Sequence, residues 1–170
     1  MFLVSPGHAR HLYCVFDVCS QGIFSGDTFG LSYREFDTDR GPFIFPATAP
    51  VQFEPDELHA SIDQLLQYHP ISIYLTHFGR VMDVPRLADD LHHCIDQLVA
   101  LARSITTSGP ERHHELMGQI EQLLLTRLQA HGCTMDREQM LALFRPDLDL
   151  DVWGLEVWLD RVQKHKEKRL

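Results

Sequence analysis

Ser5-Pro6-Gly7-His8, Phe24-Ser25-Gly26-Asp27-Thr28 and Tyr74-Leu75-Thr76-His77-Phe78-Gly79 decide how this chain folds. Each stretch follows or ends an apolar, β-prone run and carries a residue type that binds metals. Phe2-Leu3-Val4 leads into the His8 turn, Leu12 to Phe16 is aromatic and β-branched, and Ile23-Phe24 follows the turn Cys19-Ser20-Gln21-Gly22. That text predicts a strand, a hairpin and a strand that delivers Asp27. Ile71 to Leu75 predicts a short buried strand, with His77 just beyond it. Two imidazoles and a carboxylate then sit on loops that one sheet edge can hold. Zinc takes such ligands at ~2.0–2.2 Å, which demands side chains projected from stiff backbone toward one point. Gly7 and Gly26 remove a Cβ where the backbone has to bend tightly or approach a neighbour closely.

Downstream the periodicity changes. Residues Gly30 to Pro55 show no sustained period and interleave Pro42, Pro46, Pro50 and Pro55 with Tyr33, Phe36, Phe43, Phe45 and Phe53. Loops of this length are often lids or binding loops, and this one could line an apolar pocket or cover the sheet. Leu58, Ile62, Leu65 and Leu66 recur at helical spacing after Pro55, which suits a first helical turn. Asp83 is placed to cap the next helix, with Leu87, Leu91, Ile95, Leu98 and Ala102 on one face. Thr106 to Pro110 breaks the pattern and divides residues 1–105 from a helical extension over 111–170. In that extension Leu116 to Leu128 marks one helix ending near Gly132, Met135 to Phe144 a short one before Pro146, and Leu155 to Val162 the last.

The order Pro-Gly-His, Ser-Gly-Asp, Thr-His resembles the second half of the metallo-β-lactamase fold superfamily. The resemblance implies an α/β fold: the latter half of an αββα sandwich, followed here by the helical extension. It also implies metal ligands, with His8 on one cation, Asp27 bridging two and His77 on the other. Zinc is the expected metal, two per intact site, with iron or manganese as alternatives. The chemistry implied is hydrolysis of a small-molecule ester, thioester, lactone or phosphoester, with Asp27 as the catalytic carboxylate between the cations. Two cations lower the pKa of a shared water toward ~7 and polarise the bond it attacks.

Members of that superfamily normally open their ligand set with a His-x-His-x-Asp-His cluster, and no such cluster occurs in this sequence. One imidazole per cation plus a bridge falls short of the three protein ligands a zinc ion normally keeps. The expectation is therefore weak metal binding and weak or absent catalysis by this chain, whose beginning reads as missing. The alternative is a non-catalytic interaction module whose half-sheet is completed by a second copy or another polypeptide, with the helices forming the interface; a homo-oligomer or a missing N-terminal half is the expected partner. Around the ligand turns, His11 is a candidate to hydrogen-bond a ligand or substrate, or else a surface residue. Tyr33 and Arg34 are candidates to orient an anionic substrate, Arg34 through its bidentate fork.

Composition fits a soluble domain with one core: 170 residues, 44% hydrophobic and 23% charged. A net charge of −9 argues against nucleic acid as a partner. Cys14, Cys19, Cys94 and Cys133 show no C-x-x-C spacing, no export signal opens the chain, and no apolar run approaches the ~20 residues of a membrane span. Reduced thiols in a cytoplasm are the expectation.

Other constellations fail on their chemistry. Asp147-Leu148-Asp149-Leu150-Asp151 imitates a calcium loop, but Val152 stands where the bend needs glycine and Trp158 where a glutamate belongs. Its alternation predicts an edge strand or an extended link. His92-His93 and His113-His114 are sequence neighbours on predicted helices, point ~100° apart and should be solvated. Lys164 to Arg169 places positive charge where it complements a helix dipole.

Overall fold

The computed structural model describes residues 1–48 and 52–168; Pro50 of the proline-rich loop and Arg169 of the basic terminus lie outside them. Five strands form one sheet in sequence order: β1 (Phe2–Val4), β2 (Tyr13–Asp17), β3 (Gly22–Gly26), β4 (Ser72–Leu75) and β5 (Arg80–Val81). Neighbours are antiparallel except β3 and β4, which run parallel, with α1 (Pro55–Leu66) in the connection between them. A parallel pair needs such a crossover, whereas β1 to β3 can be joined by tight turns.

Register assigns the faces. Phe2 pairs with Val15, Val15 with Phe24, and Phe24 with Tyr74, so these residues share one face. The opposite face carries Leu3, Cys14, Ile23, Ile73 and Val81, all buried in the core against the helices. The first face stays open: Phe2, Val4, Tyr13 and Phe24 are 72%, 70%, 55% and 51% exposed. Two aromatic pairs organise it, Phe2 against Tyr13 edge-on at 5.4 Å and Phe24 stacked on Tyr74 at 4.7 Å.

The helices follow the apolar spacing. In α2 (Val84–Ser104) Leu87, Leu91, Cys94, Ile95, Leu98 and Ala102 are buried, and in α3 (Gly109–His131) Leu116, Ile120, Leu124 and Leu128 are. Gly132 ends α3 in the left-handed region at φ 93°, a common helix stop. Asp83 precedes α2 but makes no capping hydrogen bond; its carboxylate pairs with Arg86 Nε at 2.6 Å. The αL backbone at Asp83, φ 58°, is the local reason.

Beyond Gly132 the structure corrects the reading. A single helix, α4 (Arg137–Glu167), runs through Pro146, where two helices are expected. Proline inside a helix costs about 3 kcal/mol. On both sides of it Phe144, Leu148, Val152, Leu155 and Trp158 continue one buried stripe, each contributing about 1.5–3 kcal/mol, so continuity wins. The Asp147-to-Asp151 alternation is consequently one helical turn and not an edge strand.

The described residues of the loop from Gly30 to Pro55 pack into the core that the sheet also faces. Phe36, Phe43 and Phe45 are buried and meet Phe144 of α4 at ring distances of 4.8, 6.4 and 5.1 Å. Thr48 N–H donates to Asp151 Oδ1 at 2.6 Å, and Arg161 donates to the Phe53 carbonyl and pairs with Glu54. Residues on either side of the break at 106–110 therefore share one core, and α4 is built into it. All four cysteines are free thiols. Among the described residues no helix is long and apolar enough to cross a membrane.

Candidate metal centre

His8, Asp27 and His77 come together at one rim of the sheet. Gly7 makes the first turn possible: at φ +126°, a Cβ there would lie 2.3 Å from Leu58 Cα, so no side chain fits between the turn and α1. Glu54 N–H donates to the Gly7 carbonyl at 2.7 Å and Ser61 Oγ to the Pro6 carbonyl at 2.6 Å. Asp27 opens a 3-10 turn (Asp27–Phe29) directly after β3, with Gly26 at φ +55° aiming it. His77 follows β4, the parallel neighbour of β3, which carries the distant residues 27 and 77 to the same edge.

The distances are 3.6 Å from His8 Nε2 to Asp27 Oδ2 and 3.8 Å from His77 Nε2 to Asp27 Oδ1. His8 Nδ1 lies 2.9 Å from the Ala47 carbonyl. A carbonyl only accepts, so Nδ1 carries the proton and donates it. In the neutral ring Nε2 then presents a lone pair to a carboxylate, and two acceptors face one another unless a cation or a second proton stands near them. Asp27 Oδ1 is buried and accepts no hydrogen bond. An acceptor left this way costs about 1–3 kcal/mol, and more when charged. A backbone carbonyl orienting the far nitrogen of a histidine is also the usual support of a metal ligand.

A cavity of about 240 Å³ collects these groups, lined by His8, Asp27, His77, Phe78, Asp147 and Asp151 among others. The two α4 carboxylates are the residues that sequence reasoning missed. Asp147 and Asp151 stand four apart, one helical turn, and reading the helix through Pro146 exposes that spacing. Asp151 is 3% exposed and accepts from Thr48. Tyr33 donates its hydroxyl proton to Asp147, and burial, followed by that bond and the nearby carboxylates, pushes the phenol well above its usual range. Phe78 stacks on the Tyr33 ring at 4.1 Å.

The remaining candidates stand elsewhere. Tyr33 is tied to Asp147, Arg34 reaches Ser32 and Asp37, and His11 is exposed beside the turn. None of the three lines the cavity. A larger cleft of about 640 Å³ between α3 and α4 is lined by Arg112, His113, Glu156 and Asp160, but these groups are already paired with one another. His113 is thereby engaged, not solvated as the sequence reading has it. Among the described residues no three His, Cys, Asp or Glu side chains stand ready-arranged to hold one ion. The donor set fits a cation bridging imidazole and carboxylate, with fewer protein ligands per ion than a tight zinc site has.

No protein-family model and no curated protein matches the sequence. Solved structures do. A metallo-β-lactamase family protein from Thermus thermophilus matches with a TM-score of 0.52 and 17% identity, over 95% of this chain and 44% of that one. An archaeal metallo-β-lactamase superfamily protein from Sulfolobus tokodaii matches with a TM-score of 0.44 and 24% identity, over 71% of this chain and 42% of that one. The Thermus match shows a fold of the metallo-β-lactamase type, and the chain spans less than half the length of either structure.

Proposed function

We propose that this chain carries part of a metal-dependent hydrolytic centre, with His8, Asp27 and His77 as cation ligands. The observation that carries the reading is the Asp27 carboxylate: an imidazole nitrogen stands at 3.6 Å on one side and another at 3.8 Å on the other, and its buried Oδ1 receives no donor. Bound zinc, or iron or manganese, would supply an activated water and a Lewis acid for an ester, thioester, lactone or phosphoester.

The protein's own contributions can be separated. Asp27 offers two oxygens, so it can serve two cations and offset part of their charge. His8 is locked by Ala47 with Nε2 toward Asp27. His77, 55% exposed at the cavity mouth, is the more open of the two imidazoles and the one that substrate would meet. Asp147 and Asp151 add negative charge to the same cavity, which favours cations there. Phe78 and Leu31 give it an apolar wall.

The test is equilibrium dialysis of the full chain against zinc, with Asp27→Ala beside it, followed by ester and phosphoester assays. Zinc retained by the wild type and lost by the variant, with turnover that is weak but zinc-dependent, is the expected result. No zinc retained by the wild type overturns the reading.

A second reading rests on the open sheet face. Phe2, Val4, Tyr13 and Phe24 form an apolar surface of the kind that marks an interaction site. On this reading the chain is an interaction module, its sheet covered by a second polypeptide or a second copy. Sedimentation of Phe24→Asp against wild type decides it: a shift to a smaller species supports the module.

A further inference from the structure

A second cavity, of about 230 Å³, lies where the loop at residues 40–44 meets α2 and α3. The residues that line it and those that line the rim cavity are different sets. Phe43 and Ile44, 4% and 1% exposed, give it an apolar side. Two guanidiniums give it a polar one: Arg40 comes from the loop and Arg127 from α3.

The polar side is held by bonds to neutral groups. Arg40 Nη1 donates to the Ala130 carbonyl at 2.7 Å, Thr38 Oγ1 to the His131 carbonyl at 3.0 Å, and His131 Nε2 to the Gly41 carbonyl at 2.9 Å. The loop is thereby pinned to the last turn of α3. Arg127 crosses to α2, donating from Nη1 to Gln97 Oε1 at 2.8 Å and from Nη2 to the Asp90 carbonyl at 3.0 Å. Among the described residues neither Arg40 nor Arg127 is ion-paired with a carboxylate, although Asp and Glu outnumber Lys and Arg by 24 to 15 along the chain.

We propose that this cavity binds a small phosphate group, held between the guanidiniums of Arg40 and Arg127. A guanidinium carries five N–H donors in a planar fork that matches phosphate oxygens. Arg40 spends one of its donors on the protein and Arg127 two. Arg127 Nε is also buried without an acceptor among the described residues. Tying the loop to α3, and α3 to α2, needs only the bonds already made; it needs neither two uncompensated charges on one cavity nor an orphaned Nε. Guanidiniums arriving from two elements suit a tetrahedral group with oxygens in several directions, whereas one fork satisfies a planar carboxylate. The volume is below the ~300–1,000 Å³ of sites for drug-sized ligands, so the phosphate is free or carries a short carbon chain.

The neighbouring negative groups are already engaged. Asp90 lines the cavity, but its carboxylate accepts from Arg86 Nη1 at 2.8 Å, and Arg86 Nε pairs with Asp83. The C-terminal carbonyls of α3 are the negative end of its dipole, and those of Ala130 and His131 accept from Arg40 and Thr38. A ligand here would brace the loop, α2 and α3 together and stabilise the fold by mass action. The proposal stands apart from the hydrolase reading, since it uses none of the rim residues.

The test is titration of the full chain with inorganic phosphate at pH 7 and constant ionic strength, following the arginine Nε–H resonances. Parallel titrations use glycerol phosphate and acetate. A saturable shift of the Arg127 Nε–H signal with phosphate is expected, with acetate producing none. Arg40→Gln should weaken binding about tenfold, the size of one lost charge-assisted hydrogen bond. Arg40 is exposed and makes a single side-chain bond, so this variant tests the site even if Arg127→Lys does not fold. Tighter binding of glycerol phosphate assigns the site to a monoester, and tighter binding of inorganic phosphate to the free ion. No saturable shift with either, an affinity unchanged in Arg40→Gln, or acetate binding as tightly as phosphate overturns the proposal.

Discussion

The rim and the seam both set imidazoles against carboxylates, and they resolve the encounter in opposite ways. At the seam between α1 and α2, His59 and His92 stand on stiff helices with their Nδ1 atoms 2.5 Å apart, each ring also facing an aspartate of the other helix. At the rim three side chains on loops are held apart, at 3.6 and 3.8 Å, with the Ala47 carbonyl fixing the tautomer of His8. Spacing is the difference. The seam leaves no room for an ion between its rings, whereas the rim, wide enough for one and with a buried oxygen lacking a donor, suits a cation.

The two regions also differ in what supports them, and this can be broken experimentally. The largest effect should come from Phe144→Ala, which empties the aromatic cluster that ties α4 to the Gly30–Pro55 loop. A loss of about 3–5 kcal/mol is expected in urea unfolding, as one transition at every probe. Two separate transitions would show that α4 folds apart from the sheet. Next is Gly7→Ala, where a Cβ meets Leu58 backbone at 2.3 Å. It should cost about 1–3 kcal/mol and displace His8, because rim and seam meet through α1 at this point. Unchanged stability would mean that the close approach is not real.

Tyr33→Phe removes only the hydroxyl that reaches the rim at Asp147 and leaves the ring packing in place. Removing the donor to Asp147 should cost about 1 kcal/mol, since the half-buried carboxylate can turn to water. The smallest effect belongs to Asp17, remote from both clusters. Its carboxyl is held below the usual range by Ser20, first through the hydroxyl and then the backbone N–H, and by the Cys19 N–H. A depressed folded-state value means stability that is present above the unfolded value and lost as pH falls through the folded one. Asp17→Asn should therefore narrow slightly the gap in denaturation midpoint between pH 6 and pH 3, and an unchanged gap would deny the turn its role.

The rim was legible in the sequence because strand ends and glycine turns are local signals. Gly7, Gly26 and the runs before His8, Asp27 and His77 predict where those side chains project. What could not be read is tertiary. Pro146 is a local helix breaker, and only the stripe from Phe144 to Trp158, buried against residues a hundred positions earlier, overrides it. Misreading that proline hid Asp147 and Asp151 from the cavity. His92 escaped for the same reason: its pairing with His93 in sequence is irrelevant, and its partner His59 lies on another helix.

The central claim, that His8 and His77 ligate cations bridged by Asp27, is tested most directly by following histidine ring 15N resonances of the full chain during zinc addition. The account predicts that the Nε2 signals of His8 and His77 shift together toward metal-bound values, that the His8 Nδ1–H to Ala47 bond persists, and that Asp27→Ala abolishes both shifts. Zinc that leaves these two resonances unmoved, or moves them equally in the variant, would contradict it.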